Sequence, residues 1–283
     1  MICFVADLFL KDYVGGAELT TEAIIQKCPS PVKTFYSHEL TEEDLKRYKD
    51  SFWIFGNTAN LSNHLFLYAA KNLNYGIVEY DYKFCKYRSI EKHISLEGTC
   101  GCEHQHVGKR IAIFYYSAKY IFWMSEKQRD VYFSKFEILK KRKNIVLSSV
   151  FDKNTLDKIK NLNTSNKNNS WAIVGSQSWI KGTNETVEFA KENNLEYQVI
   201  FNKPYDEVLN TLSFCKGLIF FPNGADTCPR ITIEAKLLNC ELMLNDNVQH
   251  KDERWFNLGK EDMIEYLESR PSFFWNTVEE GLT

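Results

Sequence analysis

The stretch FPNGADTCPRITIEAKLLN, residues 221–239, places two carboxylates, Asp226 and Glu234, eight residues apart across an expected helix start. Thr227 or Cys228 is the expected N-cap. Pro229 suits the first helical position, where a missing N–H costs nothing. The free amides of residues 228–231 would then offer the positive end of a helix to an anion such as a diphosphate. Asp226 sits just outside this amide cup, and Glu234 about a turn inside the helix. Carboxylates accept hydrogen bonds from hydroxyls, in which sugars and ribose are rich. A diphosphate flanked by two such carboxylates has the shape of a nucleotide-sugar site. Read alone, the same residues also describe a helix capped by Asp226, with Glu234 on its surface.

Two other stretches fall where a strand should hand over to a helix. In YVGGAE, residues 13–18, Gly15 and Gly16 allow a ligand close to the backbone at a helix start. In VGSQSWIKGTNE, residues 174–185, Lys181 and Gly182 precede a helix, and the lysine there can neutralise a phosphate. Each is equally an ordinary turn when taken by itself. Asp81 ends the strand YGIVEYDY and points by position to the same region, where it could orient a hydroxyl or assist a proton transfer. The loop FCKYRSIEKHISLEGTCGCEHQHVG holds Cys85, His93, Cys100, Cys102, His104 and His106. Cys85, Cys100, Cys102 and His104 could build a tetrahedral structural zinc site, or the loop could simply carry free thiols. Cys3, Cys215 and Cys240 sit in apolar contexts and read as core.

The elements that must position these residues follow from the hydrophobic pattern. Six strand-like runs in the first half (ICFVAD, VKTFYS, SFWIFG, YGIVEYDY, YIFWMS, NIVLSS) alternate with helix-length segments. One of those segments, TEEDLKRY, opens with a capping box of Thr41 and Asp44. The second half repeats the alternation with WAIVGS, EYQVIF, KGLIFFP and CELMLND. Strands separated by helices imply parallel pairing with crossovers. The fold expected is α/β, with two Rossmann-like doubly wound domains facing a cleft at the carboxyl ends of their strands. Residues 1–152 form the first domain and 153–270 the second. The polar run NLNTSNKNNS, residues 161–170, is a linker or loop, and the aromatic tail 271–283 packs back on the first domain.

Bulk composition sets limits. The chain has 283 residues, 44% hydrophobic and 25% charged, with a formal net charge of -2, so it is globular and has no overall pull toward nucleic acid or anionic membrane. The basic run KFEILKKRK reads as a solvated helix face. MICFVADLFL lacks the basic start of a signal peptide, and no window reaches the ~18 apolar residues of a membrane span. A cytoplasmic protein is expected. Its eight cysteines are then thiols or metal ligands before disulfides.

In joint order, GGAE after the first strand, VGSQSWIKG at the second half, FFPNGADTCPRITIEA and CELMLND resemble the retaining glycosyltransferases of the GT-B fold, group-1 or family-four type. The resemblance implies a nucleoside-diphosphate sugar, such as a UDP-sugar, as donor, and no further cofactor. The acceptor would be a glycan, a lipid-linked sugar, a protein or a modified nucleobase. It implies that Glu234 binds the donor ribose, Asp226 the donor sugar and Lys181 the diphosphate, with Gly16 against the phosphates or the acceptor. The arginine that accompanies the lysine in that family falls near Ser176, and Arg230 is the substitute expected here. Charge building on the leaving diphosphate would be stabilised by Lys181, Arg230 and the helix amides. Two other readings share the architecture: a non-catalytic sugar- or nucleotide-binding module, and a nucleotide-sugar epimerase-like enzyme.

Overall fold

The computed structural model describes residues 1–280. Strands β1 (Ile2–Ala6), β2 (Val32–Tyr36), β3 (Phe52–Phe55), β4 (Asn74–Glu79), β5 (Tyr120–Trp123) and β6 (Lys143–Val146) form one sheet, in the order β2-β1-β3-β4-β5-β6. Strands β7 (Trp171–Val174), β8 (Tyr197–Ile200), β9 (Gly217–Phe220) and β10 (Glu241–Leu244) form a second, in the order β10-β9-β7-β8. Every neighbouring pair is parallel. The central strands β1, β3 and β5 are buried along their whole length, as parallel strands covered on both faces must be.

The crossovers are α1 (Gly16–Gln26), α2 (Glu42–Arg47), α3 (Asn63–Asn72), α4 (Ile90–Glu97), α5 (His106–Ser117) and α6 (Glu126–Lys135) in the first half. The second half carries α7 (Lys153–Asn161), α8 (Thr183–Glu192), α9 (Tyr205–Phe214), α10 (Arg230–Leu237) and α11 (Lys260–Glu279). Both arms of the capping box at α2 are made, Asp44 N–H to Thr41 Oγ1 at 3.1 Å and Thr41 N–H to Asp44 Oδ2 at 3.2 Å. Both sheets are doubly wound, and each reverses strand order once, between β1 and β3 and between β7 and β9. At such a reversal the loops leave in opposite directions and open a crevice at the carboxyl ends of the strands. The loops after β1, β7 and β9 carry Gly15, Lys181 and Asp226.

Three elements depart from the sequence pattern. The Cys/His loop contains α4, capped by Ser89 Oγ, which accepts from Lys92 N at 3.2 Å. Helix α7 precedes the polar run and is capped by Asp152. Helix α11 continues through Pro271 to Glu279, so the expected tail is helical; residues 281–283 of it lie outside the described residues. A proline inside a helix costs ~3 kcal/mol. Contacts with the first half offset that cost. Phe274 packs on Phe122 with ring centroids 4.4 Å apart, and Trp275 Nε1 donates to Ile24 O at 2.8 Å. Arg270 Nε donates to Leu147 O at 2.9 Å. One apolar cluster containing Phe122, Phe151, Leu218 and Phe274 runs through both sheets. A second, rich in aromatics such as Trp53, Trp123 and Tyr132, lies on the other face of the first sheet.

Replacing the buried Trp275 with alanine removes this packing and the bond to Ile24. Trp275→Ala is expected to lower unfolding free energy by ~3–5 kcal/mol in a denaturant titration. A change below ~1 kcal/mol would show that α11 does not hold the two halves together.

Candidate functional site

The carboxyl ends of both sheets meet at a cleft of about 440 Å³. Its lining includes Gly15, Gly16, Asp81, Lys181, Asp226, Thr227, Cys228, Arg230 and Glu234. The residues singled out from three distant stretches therefore share one space.

Lys181 ends a single turn, Trp179–Lys181, and is followed by Gly182 in the left-handed region at φ 61°. A Cβ there would overlap the carbonyl oxygen of Phe221 at the end of β9, so only glycine fits. This close approach brings the turn after β7 against the loop after β9. Lys181 Nζ and Asp226 Oδ2 then form an ion pair at 2.6 Å. Asp226 is fixed by its backbone as well, donating to Asn247 O at 2.8 Å and accepting from Gln249 N at 3.0 Å.

Helix α10 starts at Arg230 with Pro229 as its N-cap, one to two residues later than the pattern suggested. Thr227 does not cap it, because its Oγ1 donates across the cleft to Tyr80 O at 2.8 Å. Cys228 turns its thiol into the short linker between β6 and α7, residues 147–152, where it accepts from Ser149 N at 3.3 Å and burial pushes its pKa up to about 12.

Arg230 is 4% exposed and its guanidinium lies 3.7 Å from the Phe151 ring centre. Nη1 donates to Val150 O in the linker, and Nε stands 3.5 Å from Glu234 Oε1. Nε and Nη2 have no hydrogen-bond partner among the described residues. Glu234 is buried and its Oε1 also accepts from Tyr205 at 2.6 Å. Burial raises its pKa, and the Arg230 charge and Tyr205 hydroxyl oppose that rise. Across the cleft Gly16 faces this pair, with Arg230 Cδ at 3.8 Å from where its Cβ would be.

On the first-sheet side, Asp81 Oδ2 pairs with Arg88 Nη2 at 2.7 Å, while Oδ1 is buried without a partner. Arg88 also donates to Asn57 Oδ1 at 2.9 Å and lies 3.7 Å from Asp7. Beneath them Glu79 and Lys83 form a buried ion pair at 2.9 Å. Burial raises the Glu79 pKa against the pull of Lys83.

No protein-family model and no curated protein sequence matches this chain. Solved structures do. The catalytic domain of starch synthase IV from Arabidopsis thaliana, bound to ADP and acarbose, aligns with a TM-score of 0.54 at 9% identity, over 99% of this chain and 98% of its own. Anabaena HepE, in complex with UDP and glucose, gives 0.56 at 10% identity over 99% and 98%. An alpha-glucosyltransferase in complex with UDP and a 13-mer DNA containing a central A:G mismatch gives 0.52 at 11% identity over 97% and 90%. The fold is GT-B.

In this GT-B chain the sequence reading missed Tyr205, which lines the cleft, and Asp7 and Arg88, which lie behind Asp81. Tyr205 opens α9 after β8, a strand-to-helix junction of the same kind as those that drew attention to Gly15 and Lys181. Its signal was therefore available. Asp7 follows β1 directly and had that signal too. Arg88 had none, since it sits mid-loop at φ 56° and reaches Asp81 only through the tertiary fold. The cysteine loop also differs in one residue. Cys85, Cys100 and Cys102 come together, but the fourth member is His93, and His104 is exposed. Helix α4, unseen in the pattern, carries His93 inward. Among the described residues no helix is long and apolar enough to cross a membrane.

Two expectations follow. Gly182→Ala must either shift Phe221 or leave the left-handed region. It should cost at least ~2 kcal/mol in chemical denaturation, and unaltered stability would mean that the β7–β9 loop contact is dispensable. Behind α10, His250 stacks on Trp255 and sits 3.2 Å from Thr232 Oγ1; burial, helped by the Lys236 charge, pushes its pKa down to about 3. The folded state thus holds it neutral, while the unfolded chain protonates it below pH ~6.5. Its stabilising contribution is complete above that pH and falls by ~1.4 kcal/mol per unit as pH drops toward 3. Between pH 7 and pH 5 the wild type should lose ~2 kcal/mol more than His250→Gln, and equal losses would refute a neutral buried imidazole.

Proposed function

We propose that this chain is a glycosyltransferase that takes a nucleoside-diphosphate sugar, UDP-linked, and transfers the sugar with retention of anomeric configuration. One observation supports the reading: Arg230, buried on the cleft wall opposite Gly16, leaves Nη2 without a partner and pairs Nε with Glu234 only at 3.5 Å. An anionic, hydroxyl-rich ligand satisfies both groups at once, and a diphosphate joined to ribose is such a ligand. Two of the structural neighbours are complexes with UDP and one with ADP.

In this reading Glu234, steadied by Tyr205, binds the ribose. Arg230, Lys181 and the amides of Thr227, Cys228 and Arg230 hold the diphosphate, and Gly15 and Gly16 leave room for it. The bond from the anomeric carbon to the diphosphate oxygen breaks with its electron pair passing to the diphosphate. The acceptor hydroxyl bonds to the same face of that carbon, and its proton goes to the departing diphosphate. Positive groups fixed around the leaving oxygens favour that charge more in the transition state than before it. Asp81 Oδ1 orients the acceptor hydroxyl. Asp81 and Asp226 are each already paired with a cation, which suits hydrogen bonding better than nucleophilic attack.

The Lys181–Asp226 ion pair also favours a second reading, a binding module whose lysine is held away from phosphate. A thermal-shift panel of nucleoside diphosphates and their sugars, with wild type beside Glu234→Ala, tests the first point. A ligand at 100 times its Kd should stabilise wild type by ~2.7 kcal/mol, with most of that lost in the variant. No shift across the panel sinks the donor site. A donor that binds but is never consumed, with or without acceptors, supports the module instead.

A further inference from the structure

Away from the phosphate-facing wall, Cys85, His93, Cys100 and Cys102 bring one donor atom each to within 4.8 Å of one another. We propose that these four residues bind a structural zinc ion, which pins the 82–106 segment against the cleft. The distances fit one small tetrahedral ion. Zinc bonds of ~2.3 Å to sulfur and ~2.0–2.1 Å to nitrogen at tetrahedral angles require S–S edges of ~3.8 Å and S–N edges of ~3.5 Å. Cys85 and Cys100 sulfurs are 3.8 Å apart, and His93 Nδ1 lies 3.5 Å from Cys85 Sγ and 3.4 Å from Cys102 Sγ. A disulfide needs ~2.05 Å between sulfurs. Three thiolates and an imidazole are borderline-soft donors that select zinc over magnesium or calcium.

The surroundings match what such an ion needs. His93 presents Nδ1 to the cluster, and its Nε2 lies 3.0 Å from Glu97 Oε2, so the carboxylate fixes the tautomer that leaves Nδ1 free to ligate. Glu97 is itself held by Lys86 at 2.7 Å and Tyr87 at 2.6 Å. The amide of Lys86 donates to Cys102 Sγ at 3.5 Å, which offsets thiolate charge. Cys85, His93 and Cys102 are all buried. Helix α5 approaches the Cys102 turn so closely that a Cβ at Gly108 would overlap Cys102 O.

The segment held in this way reaches the cleft. Arg88 pairs with Asp81, and Glu91 Oε2 accepts from Ala225 N at 3.2 Å, next to Asp226. The ion would therefore act as a staple: it ties α4 and the turn at 100–102 to the buried stretch 82–85 and fixes the groups that brace both walls.

Elemental analysis of this 283-residue chain, purified under reducing conditions, should find about one zinc per chain. Cys100→Ser, at the half-exposed ligand, should reduce zinc to background while His104→Ala retains it. Circular dichroism checks that Cys100→Ser remains folded. Cobalt(II) exchanged into the wild type gives a readout that needs no variant. A tetrahedral thiolate site shows intense visible d–d bands and a thiolate-to-cobalt charge-transfer band, both removed by excess zinc. Absence of bound zinc together with absence of those cobalt bands overturns the proposal. So does stoichiometric iron in place of zinc, a Cys85–Cys100 disulfide in peptide mapping, or zinc loss in His104→Ala with retention in Cys100→Ser.

Discussion

The Arg230 guanidinium is the point on which the arrangement turns. It is a charge at the junction of two sheets, a linker and a helix start, almost wholly out of water. Burying such a charge is costly unless neighbours compensate. Val150 O, the Phe151 ring and Glu234 do so in part, and each belongs to a different constraint. Val150 and Phe151 fix the linker. Glu234 fixes the register of α10 relative to Tyr205 on α9. The aliphatic Cγ and Cδ of Arg230 face Gly16 across the cleft, so the packing that joins the two halves also shapes the cleft wall.

Most other charges near the cleft are paired across a structural boundary. Lys181 and Asp226 join the loops at the strand reversal of the second sheet. Asp81 and Arg88 join the end of β4 to the long loop. Thr227 ties the loop after β9 to Tyr80 in the first half by a neutral bond. These links differ from surface ion pairs, which contribute little. They are part-buried and each holds one element in place relative to another. A ligand that competes for Lys181 or Asp226 therefore acts on loop position as well as on binding.

The long loop between β4 and α5 is anchored at its start by the buried rings of Tyr82 and Phe84. Beyond them it is ordered by polar devices: the Ser89 cap, the Lys86–Tyr87–Glu97–His93 chain and the clustered thiols. Such devices specify one conformation only when every member is satisfied. A central ion would complete the set, and would explain why a loop at the cleft edge can be both polar and fixed.

The sequence by itself determined the strands, their parallel pairing and the two doubly wound sheets. Apolar runs such as ICFVA and YIFW can only be buried between helices, and that is a local property of the chain. It also marked Lys181, Gly182, Asp226 and Glu234, because strand-to-helix junctions are legible from the same alternation. Tertiary structure decided what those residues touch. That Lys181 meets Asp226, that Arg230 turns to the linker, and that Arg88 reaches Asp81 depend on contacts between residues tens of positions apart. It also decided that Pro271 stays inside a helix, since the cost of the proline is local and the packing of Phe274 and Trp275 on the first half is not. The choice of His93 over His104 has the same origin. Helical periodicity in IEKHISLE is too weak to read by itself, and only burial against the cysteines shows which imidazole turns inward.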